Sequence, residues 1–184
     1  MSKQQISAEQ AQDALTTAEL LYSENEVEQA IATMAESITN KLQYTEPLLL
    51  PIMIGGIVLA GKLIPQLNFP LHVDYIHATR YRGNTSGSEL NWLKKPGQSL
   101  QDKTVLLIDD ILDEGITLAA IIENCYDAGA HNVLTAVLAE KKLNQDKPIK
   151  HADFTGLNVP DRYVFGYGMD YHEYHRNLNG IYAL

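Results

Sequence analysis

Four carboxylates fall within six positions where the chain reads Val105-Leu-Leu-Ile-Asp109-Asp110-Ile-Leu-Asp113-Glu114-Gly115-Ile116-Thr117. An apolar run ending in adjacent acids predicts a buried strand with Asp109 and Asp110 at its carboxyl end, where ligands of open α/β sheets bind. Acids crowded in this way repel one another unless a cation or sugar hydroxyls share the charge. Gly115 and Thr117 then open a helix, and a glycine turn into a helix start can wrap an anion with free backbone N–H groups. A plain anion would be repelled by the acids. A ligand carrying both hydroxyls and phosphates, arriving with Mg²⁺, satisfies both halves of the segment.

The elements around this segment read as alternating strands and helices. Capping boxes at Ser7–Gln10 and Ser23–Glu26 start two helices, and Val27, Ile31, Met34, Ile38 and Leu42 form the core stripe of the second. Strands are predicted over Leu48–Ile54, Leu71–Tyr81, Thr104–Ile108, Asn132–Ala139 and Arg162–Phe165, with helices from the Gly55-Gly56 turn to about Leu67 and from Gly115 to Ala128. Arg82–Gly97 has no periodicity, is rich in Gly, Ser, Asn and Lys, and predicts a long loop of the kind that is usually functional or disordered. The expected fold class is α/β, a mainly parallel sheet flanked by helices.

Composition narrows the partners. A net charge of -9 argues against nucleic acid held by an overall field. The longest apolar run, Leu48–Leu59, is interrupted by Pro51 and two glycines and is too short to cross a bilayer, so no membrane partner is expected. With Cys125 alone, no intramolecular disulfide can form, and a cytoplasmic location is expected.

The string Val105–Thr117 resembles the phosphoribosyl-pyrophosphate loop of the type I phosphoribosyltransferases. The segment Pro160-Asp-Arg-Tyr163-Val164-Phe-Gly-Tyr-Gly-Met-Asp170-Tyr-His-Glu-Tyr-His-Arg176-Asn-Leu178 looks like the C-terminal signature of the hypoxanthine-guanine branch. The resemblance, over roughly Leu48 to Leu184, implies one domain. Its core would span about 45–145, with a small hood from about 1–22 and 146–184 and a mobile loop at about 82–98. It implies transfer of a ribose phosphate from phosphoribosyl pyrophosphate to a 6-oxopurine, with Mg²⁺, in a homodimer or homotetramer.

By the same resemblance, Asp109 and Asp110 contact the ribose, and Asp113, Glu114, Gly115, Ile116 and Thr117 hold the 5′-phosphate. Asp113 is the general base for the purine N7 proton. Tyr163 stacks on the base and the Val164 backbone reads its edge. Asp170 borders the base and, with Asp109 and Asp110, serves Mg²⁺. Ile54, Gly55 and Arg176 face pyrophosphate, and Arg80-Tyr81 begins the mobile loop. Lys141 is the donor to the 6-oxo group, with Lys142 as its rival: counting from Asp113 selects the first, and counting back from Tyr163 selects the second. An ammonium only donates, which favours a carbonyl over an exocyclic amine.

The chain departs from the common pattern at Asp109 (Glu is usual), Glu114 (Thr or Ser), Ile54 (often Lys) and Arg80 (often Ser). His172 and His175 flank Glu173, but no third and fourth ligand stands at a zinc spacing. Two rival readings are a transferase for xanthine or a pyrimidine, and a fold-related RNA-binding regulator that senses nucleotides.

Overall fold

The computed structural model describes residues 5–80, 90–143 and 146–184. A five-stranded, all-parallel sheet forms its centre, in the order β3 (His72–Val73), β2 (Leu48–Pro51), β6 (Thr104–Leu112), β7 (Asn132–Lys141), β8 (Phe154–Val159). Leu48–Leu50, Val105–Ile108 and Ala136–Ala139 are buried throughout, because helices cover both faces. One face packs against α2 (Glu24–Leu42) and α3 (Gly56–Leu63), where the whole predicted stripe from Val27 to Leu42 is buried. The other packs against α4 (Ile116–Asp127) through Leu118, Ile121 and Cys125. The fold is that expected of a type I phosphoribosyltransferase.

Strand β6 extends past the predicted end at Ile108 to Leu112, so Asp109 and Asp110 lie inside it. Val105 and Leu107 face the α4 side, Leu106 and Ile108 the α2 side; then Ile111 belongs to the α2 side and Leu112 to the α4 side. The alternation therefore slips by one residue at the two acids. The β6–β7 register keeps one offset through this point, pairing Asp109 with Val137 and Ile111 with Ala139, so the change is in which way the side chains face and not in the pairing. A local irregularity of this kind re-aims side chains next to a site.

The predicted strand Leu71–Tyr81 divides. Its first part is edge strand β3, and its second, β4 (His77–Arg80), pairs antiparallel with β5 (Leu90–Lys94) in a separate ribbon. The break falls at Asp74, whose carboxylate accepts from the Tyr75 N–H (2.8 Å), the Gly97 N–H (2.5 Å) and Lys94 Nζ (2.9 Å). β5 also corrects the reading of Arg82–Gly97 as one irregular loop. Tyr81 and residues 82–89 lie outside the described residues; Arg80 is placed as the last residue of β4.

The hood is a three-stranded antiparallel sheet, β1 (Glu19–Tyr22), β10 (Ile181–Ala183) and β9 (Val164–Phe165), beside the capped helix α1 (Ala8–Thr17). Strand β8 falls within 146–184 but completes the central sheet, so this part of the expected hood belongs to the core. Arg162 ties the hood together: Nη1 pairs with Glu19, while Nε and Nη2 donate to the carbonyls of Leu184 and Ala183.

Candidate active site

At the carboxyl end of β6, a cavity of about 610 Å³ is lined by Asp109–Leu118, Ile52–Gly55, Ala78, Asp170 and Arg176. Its floor is one continuous stretch of chain. Asp109 Oδ1 accepts the Asp110 N–H at 3.0 Å, and both residues are partly buried where they line the cavity. Burial, and next the neighbouring Asp110 charge, push Asp109 well above the usual carboxylate range. Burial raises Asp110 too, against the opposing pull of the Asp109 hydrogen bond and the Arg176 charge.

Gly115 takes φ +74° as the N-cap of α4, the left-handed conformation that favours glycine. A Cβ there would lie 3.2 Å from Leu112 Cδ1 and 3.4 Å from Ile149 Cβ. No side chain caps α4, and its first turn carries no acid, so the opening N–H groups at Ile116 and Thr117 border the cavity. That is the chemistry of an anion site.

The opposite wall is the turn Met53–Gly56, which holds a cis peptide between Met53 and Ile54. Its glycines answer to close approach rather than to positive φ. A Cβ on Gly55 would fall 2.1 Å from Asp110 Oδ2, and one on Gly56 would fall 2.4 Å from the Ile108 carbonyl oxygen. The turn thus lies directly on the acids. Ile54 is half exposed.

The C-terminal segment closes the third side. Arg176 reaches Asp170 Oδ1 with Nη2 at 2.5 Å, the Gly168 carbonyl with Nη1 at 2.5 Å, and Asp110 Oδ2 at 3.7 Å. The Glu173 N–H holds the other Asp170 oxygen at 2.8 Å. Asp109, Asp110 and Asp170 do not converge: no group of three potential metal ligands occurs among the described residues. The carboxylates of Asp110 and Asp170 at the cavity are hard oxygen donors, which fit a Mg²⁺ ion bound through one or two carboxylates and completed by ligand oxygens and water.

Lys141, the last residue of β7, is largely buried and places Nζ 3.0 Å from Asp113 Oδ2. Asp161 Oδ1 stands 3.8 Å away on its other side; the sequence reading gave that residue no role. Lys142 is exposed, and its backbone N–H is spent on the Val159 carbonyl. Beyond this pair, the half-exposed Tyr163 ring stacks on His172 (6.2 Å, 5°) and meets Tyr171 edge-on (5.4 Å, 79°). Val164 is buried and pairs with Ala183. His175 Nε2 contacts the Ala11 carbonyl at 2.6 Å.

Residues 17–173 match the model of the phosphoribosyl transferase domain. The chain belongs to the phosphoribosyltransferase family. It is 32% identical to the hypoxanthine-guanine phosphoribosyltransferase of Bacillus subtilis over 166 residues, covering 90% of this chain and 92% of that one. It is 28% identical to the hypoxanthine-guanine-xanthine phosphoribosyltransferase of Tritrichomonas foetus, with 86% and 87% covered. Among solved structures, a hypoxanthine phosphoribosyltransferase from Staphylococcus aureus superposes with a TM-score of 0.84 at 30% identity, covering 90% of each chain. The family's core sheet and loop connections are thus those that position the acids, the α4 start and Lys141 in this phosphoribosyltransferase.

Proposed function

We propose that the protein serves purine salvage. It transfers the 5-phosphoribosyl group from phosphoribosyl pyrophosphate to hypoxanthine or guanine, giving IMP or GMP and pyrophosphate. The observation that carries this reading is the Lys141–Asp113 pair, a donor and a carboxylate 3.0 Å apart at the end of the anion-binding turn. O6 and N7 of a 6-oxopurine lie on one edge of the ring. An ammonium can donate to O6 while the carboxylate beside it takes the proton from N7. An adenine amine offers the lysine no acceptor at that place.

In this reading the Asp113–Thr117 turn holds the 5′-phosphate, and Asp109 and Asp110 face the ribose. The base slides between Tyr163 and the sheet edge, with Asp170 and the Val164 backbone along its rim and Lys141 as the reading lysine. Gly55, Ile54 and Arg176 border the leaving pyrophosphate. Arg80 and Tyr81 lead into the loop proposed to close over the reaction. Bound Mg²⁺, held by Asp109, Asp110 or Asp170 together with phosphate oxygens, would neutralise the charge on the leaving group.

As the bond to pyrophosphate lengthens, positive charge grows on the ribose, and the fixed carboxylates of β6 stabilise it without having to reorganise. Asp113 removes the N7 proton as N9 bonds to the sugar carbon. A cytoplasmic homodimer or homotetramer is proposed on the family resemblance alone. No helix among the described residues is long and apolar enough to cross a membrane.

The test is a Mg²⁺-dependent spectrophotometric assay with phosphoribosyl pyrophosphate and hypoxanthine, guanine, xanthine or adenine in turn. Turnover of the first two and little with adenine is expected. A preference for xanthine would move the specificity, and adenine turnover at comparable rates would overturn the donor role of Lys141. Sedimentation velocity reads the assembly.

A further inference from the structure

Glu140 is a carboxylate 6% exposed in a stretch of β7 that is otherwise apolar up to Lys141. A buried charge persists only where partners satisfy it. Here the partners come from the chain between β7 and β8 and from the start of β8. His151 Nδ1 lies 2.7 Å from Oε1, Thr155 Oγ1 donates to Oε2 at 2.9 Å, and the Ala152 N–H donates to Oε2 at 3.3 Å. Lys147 Nζ, itself largely buried, stands 4.0 Å from Oε1. The same Lys147 ammonium donates to the Lys141 carbonyl at 3.3 Å. Two residues on, Ile149 packs behind the phosphate turn, with its Cβ 3.4 Å from where a Gly115 side chain would begin.

We propose that Glu140 is a positioning residue that sets two binding elements at once through Lys147 and Ile149: the backbone of Lys141 on the base side, and the rear of the Gly115 turn on the phosphate side. The neighbours along β7 explain the arrangement. Side chains alternate across a strand, so Glu140 and Lys141 point to opposite faces. Lys141 can reach Asp113 while Glu140, behind it, draws the 146–153 segment against the sheet. A hydrocarbon at position 140 would fill the same space without gathering His151, Lys147, the Ala152 amide and Thr155 around one point. Charge-assisted bonds from several directions fix that segment more tightly than apolar contact does. The consequence is on substrate binding, not on proton transfer, because none of these groups touches Asp113.

This inference rests on the proposed roles of Lys141 and the Gly115 turn, and steady-state kinetics on purified full-length variants separates the two. Lys141→Met is the control for the site reading and should raise the purine KM steeply. Glu140→Gln should raise KM for both purine and phosphoribosyl pyrophosphate about tenfold while kcat stays within about twofold, the pattern of lost uniform binding. Lys147→Met should raise the purine KM alone, and Ile149→Ala the phosphoribosyl pyrophosphate KM alone. A merely structural Glu140 would instead lower kcat through a smaller active fraction and leave both KM values unmoved, which overturns the inference. Should Glu140→Gln fail to fold, the separate KM increases of Lys147→Met and Ile149→Ala decide, and unchanged values in both sink it. An unaffected purine KM in Lys141→Met removes the site reading and this inference with it.

Discussion

The sheet edge and the C-terminal segment contribute charged groups to the same cavity, yet they are built by different means. From Asp109 to Thr117 the cavity-lining groups follow one another along the chain, and a change of facing in β6, a left-handed glycine and a helix start fix where they point. The C-terminal wall is held by side chains reaching far in sequence: Tyr167 to Glu28 of α2, His175 to the Ala11 carbonyl of α1, and Arg162 to Glu19 of β1. It also carries Tyr167, His172, Glu173 and His175 at positive φ, a conformation that side chains adopt only under outside constraint. Under the proposed function, the 5′-phosphate and ribose would meet a surface defined by one stretch of backbone, whereas the C-terminal side of the base would meet one assembled by long-range contacts.

The largest effect should come from the junction of the two walls. Asp113→Asn keeps the shape and loses the proton acceptor, so kcat should fall about 10²–10⁴-fold, the usual worth of a general base. Isothermal titration should find IMP or GMP still bound by the turn. A kcat reduced by less than about threefold would take the base role from Asp113 and shift proton removal elsewhere.

Gly55→Ala tests how closely the walls are pressed together. The new methyl would fall 2.1 Å from Asp110 Oδ2, and Gly168, whose own Cβ position lies 2.4 Å from the Gly55 carbonyl, leaves no room on the other side. Overpacking of this kind costs about 1–3 kcal/mol, which thermal unfolding would read as a lowered Tm, and the displaced turn should raise the phosphoribosyl pyrophosphate KM more than the purine KM. Equal rises would show that the pyrophosphate turn and the base wall move together, contrary to the division drawn above.

Much of the sheet side was legible in the sequence. The apolar runs of β2, β6 and β7 announce burial on both faces, and the Asp-Asp…Asp-x-Gly-x-Thr string marks the floor of the cavity. The stripe from Val27 to Leu42 needed only its spacing. What escaped depends on long-range pairing. β1 and β10 are four and three residues long and exist because they pair with each other. β8 carries Gly156 in its middle and lacks a continuous apolar pattern, but Gly156 is placed where a Cβ would fall 2.8 Å from the Leu138 carbonyl. The one-residue slip at Asp109-Asp110 has no sequence signal, since a strand ending at Ile108 and one slipping there read alike. Asp161 and Glu140 were invisible as site residues because charge next to a loop ordinarily means solvent. The competition between Lys141 and Lys142 is separated by alternation at the end of β7: one lysine reaches Asp113 and the other is exposed.

Asp109→Asn should break function and raise stability, sharpening the view of the sheet edge as a place of stored charge. With Mg²⁺ and ligands removed, the native state holds the Asp109 carboxyl above its unfolded value, through burial and the Asp110 charge. A raised carboxyl destabilises the fold at pH above the folded value. That penalty shrinks as pH falls through the folded value and vanishes below about 4, where the unfolded chain is protonated too. The variant should therefore melt higher than the wild type at pH 8, by roughly 2–4 °C per kcal/mol relieved, and the gap should close toward pH 4. An Asp109→Asn variant less stable than the wild type at pH 8 would mean that the carboxylate is satisfied in the free protein.

The smallest effect should lie in the fastening of the C-terminal wall. The Tyr167 ring is almost wholly buried, and its hydroxyl donates to Glu28 Oε1 at 2.8 Å, an oxygen that Lys62 also holds at 2.7 Å. Removing the hydroxyl strands no charge, because Lys62 remains with Glu28 and that carboxylate is partly open to solvent. Tyr167→Phe should thus cost only the net worth of one hydrogen bond, about 1 kcal/mol. The bond ties α2 to the segment in which Asp170 and Arg176 line the cavity, so its loss should loosen the base wall before the phosphate turn. A purine KM raised about twofold with an unchanged KM for phosphoribosyl pyrophosphate is the expected pattern. If the phosphoribosyl pyrophosphate KM rises instead, the C-terminal wall supports the sugar phosphate as much as the base, and the two walls act as one unit.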